Sequence, residues 1–304
     1  MIKIFPFLLL AIFSYLLTNA QLSDSCNHYT FQKLYTLDHC SNIHITDLVE
    51  SPDGTTVVVG DVDNSTPFTT THIAALIMKI KRNGDVLWIK KVGGNWVDRF
   101  QHIKRTLDGG YIAVGVSQSY GGPIIVKFDS NGNIMWARKI IDIQQSSSII
   151  DITTVSDGGY ALSGQNNNGG VDRLISIVKM DSIGHTIWSK ALYSSSSGAP
   201  GGILEEGDSL VLSGICHNPI GPYVNYHTIT KINKYTGNIY WSKRWTGGTE
   251  RSQLIKMNNY YYVSQKFDQS GITRQQVITK LDVNGNIVNA RICPIFKTIP
   301  IWEM

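Results

Sequence analysis

One short pattern, returning about every fifty residues, restricts this chain to a repeat architecture more firmly than anything else in it. Trp88 closes Asn83-Gly84-Asp85-Val86-Leu87-Trp88, Trp136 closes Asn131-Gly132-Asn133-Ile134-Met135-Trp136, Trp188 closes Gly184-His185-Thr186-Ile187-Trp188, and Trp241 closes Gly237-Asn238-Ile239-Tyr240-Trp241. Each tryptophan stands four residues after its glycine. A fifth copy, Asn284-Gly285-Asn286-Ile287-Val288-Asn289, keeps the turn and replaces the tryptophan by Asn289. The intervals are 48, 52, 53 and 48 residues, so the unit is near-constant in length.

Just upstream of each turn a lysine recurs within an apolar run: Lys79, Lys127, Lys179, Lys231 and Lys280. Alternating apolar and polar residues on both sides of an Asn-Gly pair read as a hairpin, with type I′ geometry expected because both residues tolerate positive φ. A second hairpin precedes it in every unit. Its turns are Ser51-Pro52-Asp53-Gly54, Asp108-Gly109-Gly110, Asp157-Gly158-Gly159, Glu206-Gly207-Asp208 and Asn258-Asn259; strands then run to Gly60, Gly115, Gly164, Gly214 and Ser264.

Four strands per unit, with no helical period after residue 20, predict an all-β fold: a β-propeller of about five four-stranded blades, incomplete or part of a larger ring. A solenoid would need a shorter period, and a sandwich has no reason to repeat one tryptophan position. The units fall at about 43–92, 100–140, 149–192, 201–246 and 251–293. Residues 21–42 form an N-terminal segment with an extra outer strand at Phe31–Tyr35, and 294–304 form a tail. The extra strand either completes a five-bladed ring by adding to, or replacing, the degenerate Ile287–Ile292 strand, or the units belong to a larger ring that has lost its end; the tail reads as the start of another unit.

Residues 1–20 read as a signal peptide: one early lysine, Lys3, an apolar stretch from Ile4 to Leu17, and Ala20 at the cleavage point. The stretch is short for a spanning helix, so a secreted protein with no transmembrane segment after cleavage is expected, whether extracellular, surface-bound or periplasmic. Cys26, Cys40, Cys216 and Cys293 are disulfide candidates in an oxidising compartment. Three pairings are open, of which Cys26 with Cys40 and Cys216 with Cys293 close loops without crossing. The formal charge is +4, or +3 without Lys3, and no basic run could track a phosphate backbone, so no nucleic-acid partner is expected.

The segment Asp108 to Gly115 followed by Ile125 to Trp136 resembles the repeat of secreted propeller proteins common in Bacteroidetes, over about residues 43–293. That resemblance implies the fold and leaves the activity open. Many such relatives carry a C-terminal sorting domain, and none is read here. The turn-and-tryptophan half is also similar to quinoprotein repeats, those of quinone-dependent dehydrogenases and of an outer-membrane assembly scaffold. The dehydrogenases show adjacent cysteines over the cofactor and more blades. This chain has neither, and no cofactor is expected.

Strand order assigns every loop to one of two faces. The Asp-Gly-Gly and Asn-Gly turns share one face; the connections between second and third strands share the other with the inter-blade connections. The second set is longer and more variable, which is where binding residues gather on a rigid scaffold. Its candidates are Trp96, Asp98, Arg99, Tyr120, Asp172, Arg173, His217, Tyr223, Tyr226, His227, Trp245 and Arg251, aromatic and charged residues of the kind that anchor interfaces and sugars. The tryptophan column is expected to pack between blades and the lysine column to be structural or solvated. Asp129–Asn133 and Asp282–Asn286 lack the later glutamate of a calcium loop, and no metal site is expected. No Gly-x-Ser-x-Gly or His-Glu-x-x-His occurs.

The reading that follows is a non-catalytic module that recognises a protein or glycan through this loop face. The alternatives are a carbohydrate hydrolase or lyase, a degenerate quinoprotein, or a structural or adhesive part of a larger surface protein.

Overall fold

The computed structural model describes residues 33–35, 42–63, 73–93, 97–118, 121–141, 149–167, 173–192, 198–217, 225–247, 252–269 and 273–292. Among these there is no helix; every regular element is a strand. The first blade comprises β1 (Asn42–Glu50), β2 (Thr56–Asp63), β3 (Ile73–Ile80) and β4 (Val86–Val92). The second comprises β5 (Asp98–Arg105), β6 (Tyr111–Ser117), β7 (Gly122–Phe128) and β8 (Ile134–Lys139), and the third β9 (Ile149–Thr154), β10 (Tyr160–Asn167), β11 (Arg173–Met180) and β12 (Thr186–Leu192). The fourth holds β13 (Gly198–Glu206), β14 (Ser209–His217), β15 (Asn225–Asn233) and β16 (Ile239–Thr246); the fifth holds β17 (Gln253–Met257), β18 (Tyr260–Gln269), β19 (Thr273–Asp282) and β20 (Ile287–Ile292). Each blade is a separate antiparallel sheet in sequence order, the arrangement of a β-propeller.

The blades are joined face to face by apolar packing. Val57, Val59, Ala75 and Ile77 of the first meet Phe100, Ile103, Tyr111 and Phe128 of the second. Ile112, Val114 and Ile125 then meet Ile149, Ile152, Tyr160 and Leu162, and Ala161, Ile175 and Ile177 meet Ile203, Leu210 and Ile232. Val211 and Ile229 meet Leu254, Tyr261 and Val263. Each junction is a thin hydrophobic layer between two sheets, so the described residues form four such cores in series. On its other face the fifth blade carries Ile255 and Ile278 exposed to solvent, and among the described residues no comparable core joins it to the first blade.

The tryptophan column locks these junctions. Trp88 lies over Gly132 of the following blade, Trp136 over Gly184, Trp188 over Gly237 and Trp241 over Gly285. A side chain at Gly132 would bring its Cβ to 2.6 Å from the Trp88 ring, so the turn glycine is also the seat of its neighbour's indole. Asn289, in the tryptophan position of the fifth blade, has no following turn to cover among the described residues. At the other end of the series the first blade's turn is met by the N-terminal segment: the Tyr35 hydroxyl donates to the Gly84 carbonyl at 2.8 Å. Of the outer strand expected at 31–35, Lys33–Tyr35 are described, and they carry no strand pairing.

The Asn-Gly turns correct one expectation. Only the glycines, such as Gly132 at φ 74°, take positive φ; the asparagine before each does not, so these are not type I′ turns. They are type I turns closed by a glycine in the left-handed region, the longer hairpin loop with a bulge. The first, opened by Lys81, takes this form with no aspartate at its start; in the other two an aspartate supports it. Asp129 accepts the backbone N–H groups of Asn131 and Asn133 at 2.9 and 2.7 Å, and Asp282 does the same for Asn284 and Asn286. These carboxylates are spent on the backbone, which accounts for the resemblance to a calcium loop.

The lysine column is internal. Lys127 is 2 % exposed and donates to Asp108 at 2.7 Å and to Thr106 at 2.8 Å. Lys179 is 1 % exposed and reaches Asp157 at 2.8 Å, and Lys231 reaches Glu206 at 2.7 Å. In each case the third strand is tied to the acidic turn between the first two. The fifth blade, with Asn258 in that turn, has no acid to offer, and Lys280 lies 3.6 Å above the Tyr260 ring instead. Removing one partner of a buried pair costs more than the pair itself contributes, because a charge is left desolvated. Asp157→Ala is therefore expected to destabilise by about 3 kcal/mol and Lys179→Met by about 1 kcal/mol, since methionine fills the space and Asp157 keeps access to water. Urea denaturation of both variants measures this, and equal losses would show that the ammonium is not the costly half.

Candidate functional site

β1, β5, β9, β13 and β17 stand side by side as the innermost strands. They enclose a cavity of about 390 Å³ lined by Thr46, Asp47, His102, Lys104, Ile150, Asp151, Gly202, Ser252, Gln253, Leu254 and Ile255. Every blade contributes, and it does so from one register. Asp47, His102, Asp151 and Gln253 pair with, respectively, Val59, Val114, Ser163 and Ser264, each one residue before the position occupied in the first three blades by Gly60, Gly115 and Gly164.

That glycine has a mechanical role. The inner strand bulges at Thr46 in the first blade, Gln101 in the second and Ile150 in the third, and the glycine lies directly across from each bulge. A Cβ at Gly60 would fall 1.9 Å from the His44 carbonyl oxygen, and one at Gly115 the same distance from that of Arg99. The fourth blade repeats the bulge opposite Gly214. In the fifth, pairing places Gln265 rather than Ser264 at this position, and β17 pairs only as far as Ser264 with no bulge.

The cavity carboxylates are anchored by backbone donors. Asp47 accepts the N–H of Leu48 at 2.9 Å and that of Ile103, on the next blade, at 3.0 Å. Asp151 accepts from Ile152 at 2.8 Å and from Ile203 of the next blade at 3.0 Å. Each therefore clamps two inner strands together. Burial pushes the Asp47 carboxyl up, but His102, these two N–H groups and the charge of Lys104 outweigh it and hold it below the usual carboxylate range. His102 Nδ1 lies 3.7 Å from Asp47 and Lys104 Nζ lies 3.7 Å from Asp151, both beyond hydrogen-bonding length.

The loop-face candidates are placed in three ways. Trp96, Tyr120, Asp172, Tyr223 and Arg251 lie outside the described residues, as do Cys26, Cys40 and Cys293. Arg173 opens β11 and His217 closes β14. The remainder can be read in detail. Asp98 is 2 % exposed and accepts from Ser117, so it braces the strand start from inside. Arg99 is half exposed, 3.7 Å from Asp61, which His44 also approaches at 3.4 Å. Tyr226 is half-buried with the Arg244 guanidinium 5.0 Å above its ring. His227 is fully buried, stacked on Trp245 at 5.9 Å, and neither ring nitrogen has a hydrogen-bond partner among the described residues. Trp245 donates to Gln265 of the fifth blade at 3.2 Å. Cys216 is buried and carries no disulfide, and burial pushes its thiol up.

Among the described residues, two groups on the loop face thus remain open to a partner, Arg99 with His44 around Asp61, and Tyr226 with Arg244. The cavity residues were not among the expected ones. Among the described residues no His, Cys, Asp and Glu group has the makings of a metal site, and no helix is long and apolar enough to cross a membrane.

No protein-family model and no curated protein matches the chain. Solved structures do. BamB from Moraxella catarrhalis is similar at 13 % identity over 82 % of this chain and 77 % of its own, with a TM-score of 0.41. The quinohemoprotein alcohol dehydrogenase ADHIIG from Pseudomonas putida HK5 is similar at 11 % identity over 84 % of this chain, with a TM-score of 0.45, and this chain spans 43 % of it. The WD40 domain of SCAP from fission yeast is similar at 9 % identity over 86 % of this chain and 67 % of its own, with a TM-score of 0.40. At such identities the likeness concerns the fold alone, and the blade assignment stands on the five sheets and their four interposed cores.

Proposed function

We propose that the chain is an exported, non-catalytic recognition module that binds a protein or a glycan through the loop face. The observation that carries this reading is the contrast between the two ends of the blades. At the turn end, the recurring carboxylates and amides are consumed by backbone N–H groups and buried lysines. At the other end, connections of varied length leave the strands beside Arg99, His44 and the stacked Tyr226–Arg244 pair, side chains with contact area and donors to spare. A hydrolase acting at the cavity would need a carboxyl kept protonated near neutral pH, and Asp47 is shifted the opposite way.

The test is a glycan array and a pull-down of surface proteins with the mature chain and with the Arg99→Ala/Tyr226→Ala double variant. Binding is expected in the parent and weakened about tenfold or more in the variant, with thermal unfolding unchanged because both side chains are partly exposed. Undiminished binding by the variant would remove the loop face as the site. Export is checked by the N-terminus of the protein recovered outside the cytoplasm, expected to begin at Gln21.

A further inference from the structure

We infer that the cavity among the five inner strands is a binding site for one neutral sugar residue. This takes from the preceding section only that a glycan is the ligand; it places a sugar where that reading did not.

The cavity is lined by polar and apolar side chains together. Its polar groups come as two separated pairs of opposite type: Asp47 with His102, and Asp151 with Lys104, each 3.7 Å apart. All four side chains line the cavity and are partly exposed, at 27 %, 29 %, 21 % and 41 % respectively. The carboxylates are held in position by backbone donors from two blades, so neither swings to close on its cation. Each pair therefore presents a fixed acceptor beside a donor with a gap between them.

Ligand charge decides among the classes that could fill such gaps. A carboxylate or phosphate would face Asp47 and Asp151; an ammonium would face Lys104. A hydroxyl meets neither objection, since it donates to the carboxylate and accepts from the lysine or imidazole at once. Two such pairs on adjoining strands call for at least two hydroxyls on one small rigid frame. Ile150, Leu254 and Ile255 line it as well, and the exposed Ile255 offers an apolar surface for carbon-bound hydrogens. The volume falls within the range of small-molecule sites. A neutral pyranose or furanose ring, with hydroxyls at its edge and C–H groups on its face, has all these properties.

The test is saturation-transfer NMR and calorimetry of the whole protein with the methyl glycosides of glucose, galactose, mannose, xylose and arabinose, and with the same compounds fully O-methylated. At least one free glycoside is expected to bind and its O-methylated form to fail. Lys104→Met and His102→Gln are each expected to weaken binding by about tenfold or more; neither residue is a backbone clamp, so unfolding temperature should hold. Glycoside binding and the array binding of the loop-face variant are separate readouts, so the failure of either leaves the other standing. The inference is overturned if no glycoside binds, if the O-methylated compound binds as well, or if Lys104→Met and His102→Gln both bind like the parent.

Discussion

Gly115→Ala is expected to destabilise the protein by about 3 kcal/mol and Gly115→Val by about 4 kcal/mol or more, with a fall in Tm on the order of 10 °C for the valine. The cause is not backbone freedom, because Gly115 has no positive φ; it is the absence of a side chain where the bulged inner strand passes. A Cβ there would stand 1.9 Å from the Arg99 carbonyl oxygen and 2.8 Å from the Phe100 Cα. Neither is the end of a flexible side chain, so relief requires β5 to move. β5 carries His102 and Lys104 into the cavity and Phe100 and Ile103 into the first inter-blade core, so the strain reaches both. The fifth blade shows the other solution: Gln265 stands in this position, the bulge is gone and the inner pairing ends one step earlier. Thermal unfolding by calorimetry gives the answer, and tolerance of alanine within about 1 kcal/mol would mean that the bulge can relax and is not fixed by this glycine.

The blades were legible because the residues that repeat are those with one geometric task. The tryptophan must cover the next blade's turn, the lysine must reach its own blade's acidic turn, and the Asn-Gly turn must close a hairpin, so each is confined to a narrow range of residue types. The turn type departs from expectation because the sequence pair Asn-Gly is shared by two hairpin loops; Asp129 and Asp282 support the longer one through hydrogen bonds to the backbone, and the Asn83-Gly84 turn adopts it with Lys81 in their place. The fifth unit was read one residue out of step. With Asn258-Asn259 in place of Asp-Gly-Gly, only the pairing of Tyr261 with Leu281 reveals that Gln265 holds the glycine position.

The cavity was hidden for a different reason. Asp47, His102, Asp151, Gly202 and Gln253 share a register and no chemistry, so they leave no visible column. Their distance to the conspicuous lysine also drifts, because the connection between second and third strands changes length, as between Asp63–Ile73 and Ser117–Gly122. Their distance to the glycine is far steadier: Asp47, His102 and Asp151 each precede theirs by thirteen residues, and Gly202 precedes Gly214 by twelve. Counting from the glycine would have found them. Ranking loop residues by type could not separate Asp98 or His227, both buried, from Arg99 and Tyr226, since burial is set by which face of the strand a side chain takes.

Acid is expected to weaken the protein by about 3 kcal/mol between pH 7 and pH 4 through His227 alone, and His227→Leu is expected to abolish that loss. Burial is the whole cause: the ring is fully enclosed, stacked on Trp245, and pulled down to about 4 from an unfolded value near 6.5. The sign follows from proton counting. Below pH 6.5 the unfolded chain binds a proton at this site and the folded chain does not, so stability falls as pH drops, and the loss levels off once the folded site also protonates near pH 4. The carboxylates act in a lower window. Asp108 and Glu206 are held at about 2 in the fold, against their burial, by Lys127 and by Lys231 with Lys256, so their contribution is lost only as pH falls below the ordinary carboxylate range. Urea denaturation at pH 7.5, 6.0, 5.0 and 4.5 therefore isolates the histidine. At pH 7.5 the leucine variant should be at least as stable as the parent, because it removes two buried ring nitrogens that have no partner among the described residues. Parallel pH curves for the two proteins would show that His227 takes up its proton in the fold as readily as in the unfolded chain, and that the junction between the fourth and fifth blades opens to water.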